Sequence, residues 1–312
     1  MRKFLAAMTA AVLCMSVFTA CGSSTAETTT TTETATDAAA ETTAQEATAS
    51  AETTAQEATA APETIAEATE AAAETTAEAS AASEALADGV LNVGTNAEFP
   101  PFEYVNDNGE PDGFDIALIK AIGEKMGVEV QVDNMEFASL VSSIGTKIDV
   151  SIAGMTVTEE RKQMVDFSNT YYTAVQYVIL PKDSTIATAD DLKNKAIGVQ
   201  LGTTGDFIAV EIEGATVSQY NKAVDAINDL INGRLDCVII DRNPALVFES
   251  KFADQVTAVD GAQFAFETEE YAIAMPKGDT ALAEKINAAL EEVKADGTFD
   301  ALVAQYIEGS DE

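Results

Sequence analysis

The chain contains no histidine, so its chemistry must rest on carboxylates, guanidinium groups, amides and hydroxyls. Losing histidine removes the commonest general base and the commonest metal ligand together. Ser-His-Asp triads, Cys-His pairs and His-ligated zinc are thereby excluded. Four short segments hold the remaining candidates. The first, Gly94 to Glu103, leaves the end of an apolar strand, where open α/β sheets place ligands. Pro100 and Pro101 stiffen it; Phe99 is expected to face a ligand and Phe102 the core. In the second, Ile152 to Lys162, Arg161 falls in the first turn of a helix expected to begin at Glu159, with Thr156 and Thr158 as cap candidates. A cation is poorly placed at the positive end of a helix dipole unless it holds an anion, and the arginine fork suits a carboxylate. A plain surface arginine is the other reading.

The third segment, Gly198 to Gly205, follows a strand and opens a helix, so its free N–H groups form an anion site. It resembles a P-loop only superficially, because Thr203 stands where the lysine should follow, which argues against nucleotide hydrolysis. The fourth ends in Asp241, at the close of the apolar strand Cys237 to Ile240. An aspartate there is either a helix cap or the partner of a cation, and local sequence leaves both open.

These segments need a scaffold, and the chain from Asp88 onward has the pattern for one. Short apolar strands are expected at Val90 to Thr95, Val128 to Val132, Val150 to Ala153, Tyr177 to Leu180, Ala196 to Gln200, Cys237 to Ile240 and Tyr271 to Met275. Helical spacing covers Phe114 to Met126, stopped by Gly127, then Phe137 to Ile144, a helix from Thr204, Lys222 to Asn232, and Thr280 to Ile307. Such alternation implies α/β layers, and the length suits two lobes better than one small sheet.

The front end reads differently. Met1 to Ala20 has a basic start at Arg2 and Lys3 and an apolar stretch from Phe4 to Phe18, too short to span a bilayer, which needs about 20 apolar residues; it reads as a cleaved signal. Phe18 to Gly22 resembles a bacterial lipobox, making Cys21 the lipidated residue and the membrane a partner through that anchor. Residues 21–88 come next as an Ala/Thr/Glu-rich tether, in which the ten residues from Ala40 to Ala49 recur as Ala51 to Ala60. With large apolar residues nearly absent, nothing there offsets the chain entropy of folding, and a flexible coil of this size would span roughly 45 Å. Of three cysteines, Cys14 leaves with the signal and Cys21 carries lipid. Cys237 is left alone, with no internal disulfide available and a small buried hydrophobe as its expected role. The net charge of −36 argues for solubility and against nucleic acid or anionic lipid as a partner.

Taken in order, Gly94 to Glu103, Gly113 to Asp115, Ala153 to Arg161, Val165 to Tyr172, Asp190 to Lys195, Gly198 to Thr204 and Asn232 to Asp236 leading to Asp241 resemble the family-3 extracellular solute-binding proteins. These are polar amino-acid receptors of ABC importers. The resemblance covers essentially all of residues 89–309. It implies a two-lobed α/β fold of the periplasmic-binding-protein type II, with hinge strands near 171–175 and 267–271. Lobe 1 is then 89–173 plus 270–312, and lobe 2 is 174–269, closing like jaws.

The resemblance also assigns roles. Arg161 is expected to grip a ligand α-carboxylate with the Thr156 and Thr204 N–H groups. Asp241 is expected to meet the α-ammonium, with the Gly154 carbonyl and Thr156 hydroxyl. Phe99 and Phe137 would sandwich the side chain, and Ala153 belongs to the same wall. Asn96 stands where many members have aspartate. Paired with Gln200, it favours a glutamine-like ligand over a cationic one, unless Glu98 or another acid restores a cation preference. The resemblance thus implies a monomeric carrier that delivers its amino acid to an ABC importer permease, without cofactor, metal or catalysis. The alternatives are a stand-alone ligand sensor, and a cyclic-acid dehydratase working through Glu98 or Asp241.

Overall fold

The computed structural model describes residues 86–308. The signal segment, Cys21 and nearly all of the tether lie outside the described residues. The last tether positions do not: Leu86 packs against the hydrophobic core and its carbonyl accepts from the Gly89 N–H at 3.1 Å. The folded part therefore begins slightly earlier than its composition suggests, because one leucine finds apolar partners.

The chain enters through β1 (Val90–Thr95), followed by β2 (Glu98–Phe99), β3 (Glu103–Val105) and β4 (Pro111–Asp112). Helix α1 (Phe114–Met126) buries Ile116, Ile119 and Ile122 on one face, the periodicity of an amphipathic helix. It stops at Gly127, whose φ of 70° lets Val128 N–H reach the Gly123 carbonyl at 3.0 Å. Next come β5 (Glu129–Asn134), α2 (Phe137–Ser143), β6 (Val150–Ser151), the short α3 (Arg161–Met164) and β7 (Val165–Phe167).

β8 (Tyr172–Pro181) then carries the chain into a second sheet built with β9 (Ala196–Gln200), α4 (Thr204–Glu211), β10 (Thr216–Tyr220), α5 (Ala223–Ile231), β11 (Cys237–Asp241), α6 (Arg242–Lys251) and β12 (Val256–Asp260). The return runs through β13 (Thr268–Tyr271) to β14 (Ala274–Pro276), and α7 (Thr280–Ala295) and α8 (Thr298–Leu302) close the fold.

Two sheets result. The first has the order β5-β1-β6-β14-β7 and the second β10-β9-β11-β8-β12. In each, three parallel strands adjoin antiparallel ones. β8 and β13 run antiparallel where the chain passes between the sheets, pairing Thr268 with Val175 and Tyr271 with Tyr172. The fold is a two-lobed α/β structure with two connecting hinge strands.

Several expectations need correction. Val150 to Ala153 does not stay a strand: it ends at Ser151, and Gly154 turns the chain with a φ of 52°. Tyr271 to Met275 is broken at Ala272 and Ile273, where the chain leaves one sheet for the other. The helix expected from Glu159 begins at Arg161; the Thr158 hydroxyl accepts from Arg161 N–H at 3.1 Å, whereas Thr156 does not cap it and its hydroxyl donates to Glu269. Tyr177 to Leu180 is only the centre of the longer β8. Strands β10 and β12, helix α6 and the small β2–β4 sheet had no clear periodicity to announce them. Cys237 is fully buried and its thiol is pushed up to about 12 by desolvation.

Candidate functional site

All ten residues proposed from the sequence as ligand-binding line one cavity between the lobes: Asn96, Phe99, Phe137, Ala153, Gly154, Thr156, Arg161, Gln200, Thr204 and Asp241, joined by Thr203. The free space among them is only about 10 Å³, far below the roughly 300 Å³ and more of ligand pockets, so the walls stand closed on one another.

Strand ends supply most of the wall. Asn96 follows β1, and Gln200 ends β9 in the other sheet. The Gln200 Nε2 donates to Asn96 Oδ1 at 2.8 Å and to the Asn221 carbonyl at 3.1 Å, while Asn96 Nδ2 donates to the Met135 carbonyl at 2.8 Å. Phe99 is 7% exposed and lies over Gly154, where an added Cβ would stand 2.9 Å from its ring. Only glycine permits that approach at positive φ.

Arg161 is 4% exposed. Its Nη1 donates to the Thr156 carbonyl at 2.6 Å and its Nη2 to the Gly202 carbonyl in the other lobe at 3.0 Å. The guanidinium carbon lies 5.4 Å from the centre of the Phe137 ring and 5.9 Å from that of Phe207, so it is held by ring faces as well as carbonyls. Desolvation brings its pKa down to about 10, against the pull of Glu269 and Asp241; it remains a cation at neutral pH. This is a buried guanidinium without a carboxylate among its hydrogen-bond partners.

Asp241 ends β11, also buried, and accepts from the Tyr271 hydroxyl. It occupies the cap position of α6, but its side chain makes no cap hydrogen bond, so the helix-cap alternative is not what the structure shows. Burial, and then the neighbouring Glu269, push its carboxyl up to about 7. A buried carboxyl so placed gains most from an incoming cation.

Glu269 was missed. It lies in β13, and its Oε2 accepts from Thr156 Oγ1 at 2.5 Å and Thr204 Oγ1 at 2.7 Å, one hydroxyl from each lobe. The available signal was its alternation with fully buried Tyr271, which turns both toward the interior. Gly202 and Thr203 were quoted only as loop residues. Glu98, considered as an acid for a cationic ligand, pairs instead with Lys222 across the lobes at 2.6 Å. No cluster of His, Cys, Asp or Glu suited to a metal occurs among the described residues.

The architecture and the ordered segments agree with comparison to known proteins. The profile of bacterial extracellular solute-binding proteins, family 3, matches residues 91–309. The chain belongs to this family. Among its family-3 relatives, a probable histidine-binding protein of Neisseria gonorrhoeae is 34% identical over 72% of this chain and 86% of its own length. The arginine-binding extracellular protein of Bacillus subtilis is 36% identical over 70% of this chain and 86% of its own. Two solved structures, an ancestral arginine-binding protein bound to arginine and the same kind of protein bound to glutamine, are each 41% identical to it. They cover 70% of this family-3 chain and 98% of their own, with TM-scores of 0.67 and 0.64.

Proposed function

We propose that this family-3 protein captures a polar L-amino acid outside the cytoplasm and hands it to an ABC importer permease. The observation that carries this is the pairing, in one closed cavity, of a buried arginine with no carboxylate hydrogen-bonded to it and a buried aspartate with no ion-paired cation, among the described residues. An amino-acid backbone supplies both in one rigid unit. Each charge desolvated on closure then meets an opposite charge, and the two charged groups sit on different lobes, so the ligand itself completes closure. Relatives whose names describe histidine, cystine and arginine binding support the ligand class.

For the side chain, the amide pair supports a glutamine-like reading. Asn96 Oδ1 and both Gln200 N–H groups are spent on each other and on Asn221. One Asn96 N–H and the Gln200 Oε1 are left, a donor beside an acceptor. That is the complement of a carboxamide and favours glutamine. Arginine is the second reading, supported by the arginine-binding relatives and by the two carboxylates, Asp241 and Glu269, set against one Arg161 in the site. Calorimetric titration with the common amino acids separates them: glutamine should give the tightest binding. Arginine as tightest ligand would replace the side-chain reading, and no heat from any amino acid at high micromolar concentration would sink the function.

In the same reading, Cys21 bears lipid and holds the monomer at the outer face of the cell membrane, with residues 21–88 as tether. Metabolic labelling with a fatty-acid analogue, lost on Cys21→Ser, tests this. A stand-alone sensor would bind the same ligand without supporting uptake. A solved structure described as an ancestral amino-acid-binding precursor of cyclohexadienyl dehydratase is 35% identical; turnover of a cyclic carboxylic acid, lost on Asp241→Asn, would be needed to favour that chemistry here.

A further inference from the structure

Behind the Phe99–Gly154 wall lie two carboxyl groups that the binding scheme does not use. Glu103 and Asp115 are both fully buried. Glu103 begins β3 and pairs directly with Phe99 in the β2–β3 ladder; Asp115 stands in the first turn of α1. Asp115 Oδ2 accepts from the Gly154 N–H at 2.7 Å and from the Tyr171 hydroxyl at 2.8 Å. Its Oδ1 and both Glu103 oxygens have no donor among the described residues, and Asp115 N–H donates at 2.9 Å to the carbonyl of Phe102, the chain neighbour of Glu103, which brings the two carboxyls close enough to act on each other. Two ionised carboxylates in that position would leave three buried acceptors unmet and two like charges in contact, a costly arrangement. One proton on Glu103 removes one of the two charges and satisfies two of the three oxygens, one as donor and Asp115 Oδ1 as acceptor.

We propose that Glu103 stays protonated and donates to Asp115 Oδ1, so that the pair shares one proton and acts as a positioning unit that fixes the Gly154 turn against Phe99. Asp115 then keeps its Oδ2 for Gly154 and Tyr171, anchoring the cavity wall to α1 and to the residue that precedes hinge strand β8. The charged groups acting on Glu103 are Asp115 and Asp241, both carboxylates, and with desolvation they raise its pKa well above the ordinary value. Asp115 is raised to about 6 by burial, opposed by the Gly154 N–H, Tyr171 and Glu103 hydrogen bonds. Tyr171, and Tyr271 beside it, are pushed upward by burial and stay neutral.

A carboxyl raised in the folded state holds a proton that the unfolded chain releases. Its stabilisation is complete below the unfolded values of 4.5 and 3.8 and is lost as pH rises through the folded ones. Thermal melting of the full-length chain between about pH 5 and 8 should therefore show a melting temperature that falls with pH. Glu103→Gln, whose amide donates without a titrating proton, should make that slope shallower, leaving the part that Asp115 and Asp241 contribute. Hydrogen exchange at Gly154 supplies the second readout: Glu103→Leu should exchange about tenfold faster than wild type, and Glu103→Gln should restore the protection.

The effect on ligand rests on the amino-acid-binding reading: Glu103→Leu should weaken binding about tenfold and Glu103→Gln should recover most of it. A Glu103→Gln slope equal to wild type would overturn the shared proton. Unchanged exchange at Gly154 in Glu103→Leu would overturn the positioning role. If wild type bound no amino acid, the binding reading alone would fail, and melting and exchange would still decide the pair.

Discussion

Arg161 Nη2 donates to the Gly202 carbonyl at 3.0 Å, joining a guanidinium of one lobe to a loop of the other. The same guanidinium donates to the Thr156 carbonyl of its own lobe, so it is aimed before any ligand arrives. Preorganisation of this kind lowers the ordering cost of binding.

Replacing that side chain should be severe. Arg161→Ala is expected to weaken amino-acid binding by at least about 3 kcal/mol, as for a buried carboxylate left unpaired. Titration calorimetry on the folded variant checks it. A loss below tenfold would place the ligand carboxylate elsewhere.

Protonation of Asp241 should couple to binding. With its carboxyl pushed up to about 7 by burial and Glu269, an ammonium ligand must capture the ionised form and lower that pKa. Affinity should be complete above about pH 7 and weaken below it, by up to about tenfold per unit. Stability from this group runs the opposite way, present below the unfolded value of 3.8 and lost as pH rises through about 7. Titrations in buffers of differing ionisation heat should show proton release on binding near about pH 6. Affinity that does not change with pH would contradict the ammonium–Asp241 contact.

Side-chain selectivity should move with Asn96. Asn96→Asp places a carboxylate against the Gln200 amide and should raise the arginine-to-glutamine affinity ratio about tenfold. Competition titration of the two amino acids measures it, and an unmoved ratio would remove Asn96 from the side-chain end of the site.

The Glu98–Lys222 pair crosses the lobes at 2.6 Å on partly exposed side chains. It should add only a weak bias toward closure. Lys222→Ala is expected to reduce affinity less than about threefold and to diminish its salt dependence, measured at low and high ionic strength.

How much of the fold and site was legible in the sequence depended on how local the cause was. Helix α1 declared itself through Ile116, Ile119, Ile122 and a terminal glycine, all close together in the chain. Arg161 was conspicuous because its position is wrong for a helix start unless an anion is near. Phe102 was expected in the core and is fully buried. Glu269 was invisible as a site residue because its meaning lies in Thr156 and Thr204, far away in the chain and on different lobes. The Glu103–Asp115 pair likewise depends on burial, which neither residue type advertises. Thr156 looked like a cap because helix starts favour threonine; the Arg161 N–H goes instead to the nearer Thr158 oxygen, and the Thr156 hydroxyl donates to Glu269.

The most direct measurement is a crystal structure of residues 88–312 with its tightest amino acid bound. The account predicts the α-carboxylate on the Arg161 guanidinium and the α-ammonium on the Asp241 carboxylate, with both lobes closed on it. A ligand bound elsewhere, or in the cavity with its backbone reaching neither side chain, would contradict it.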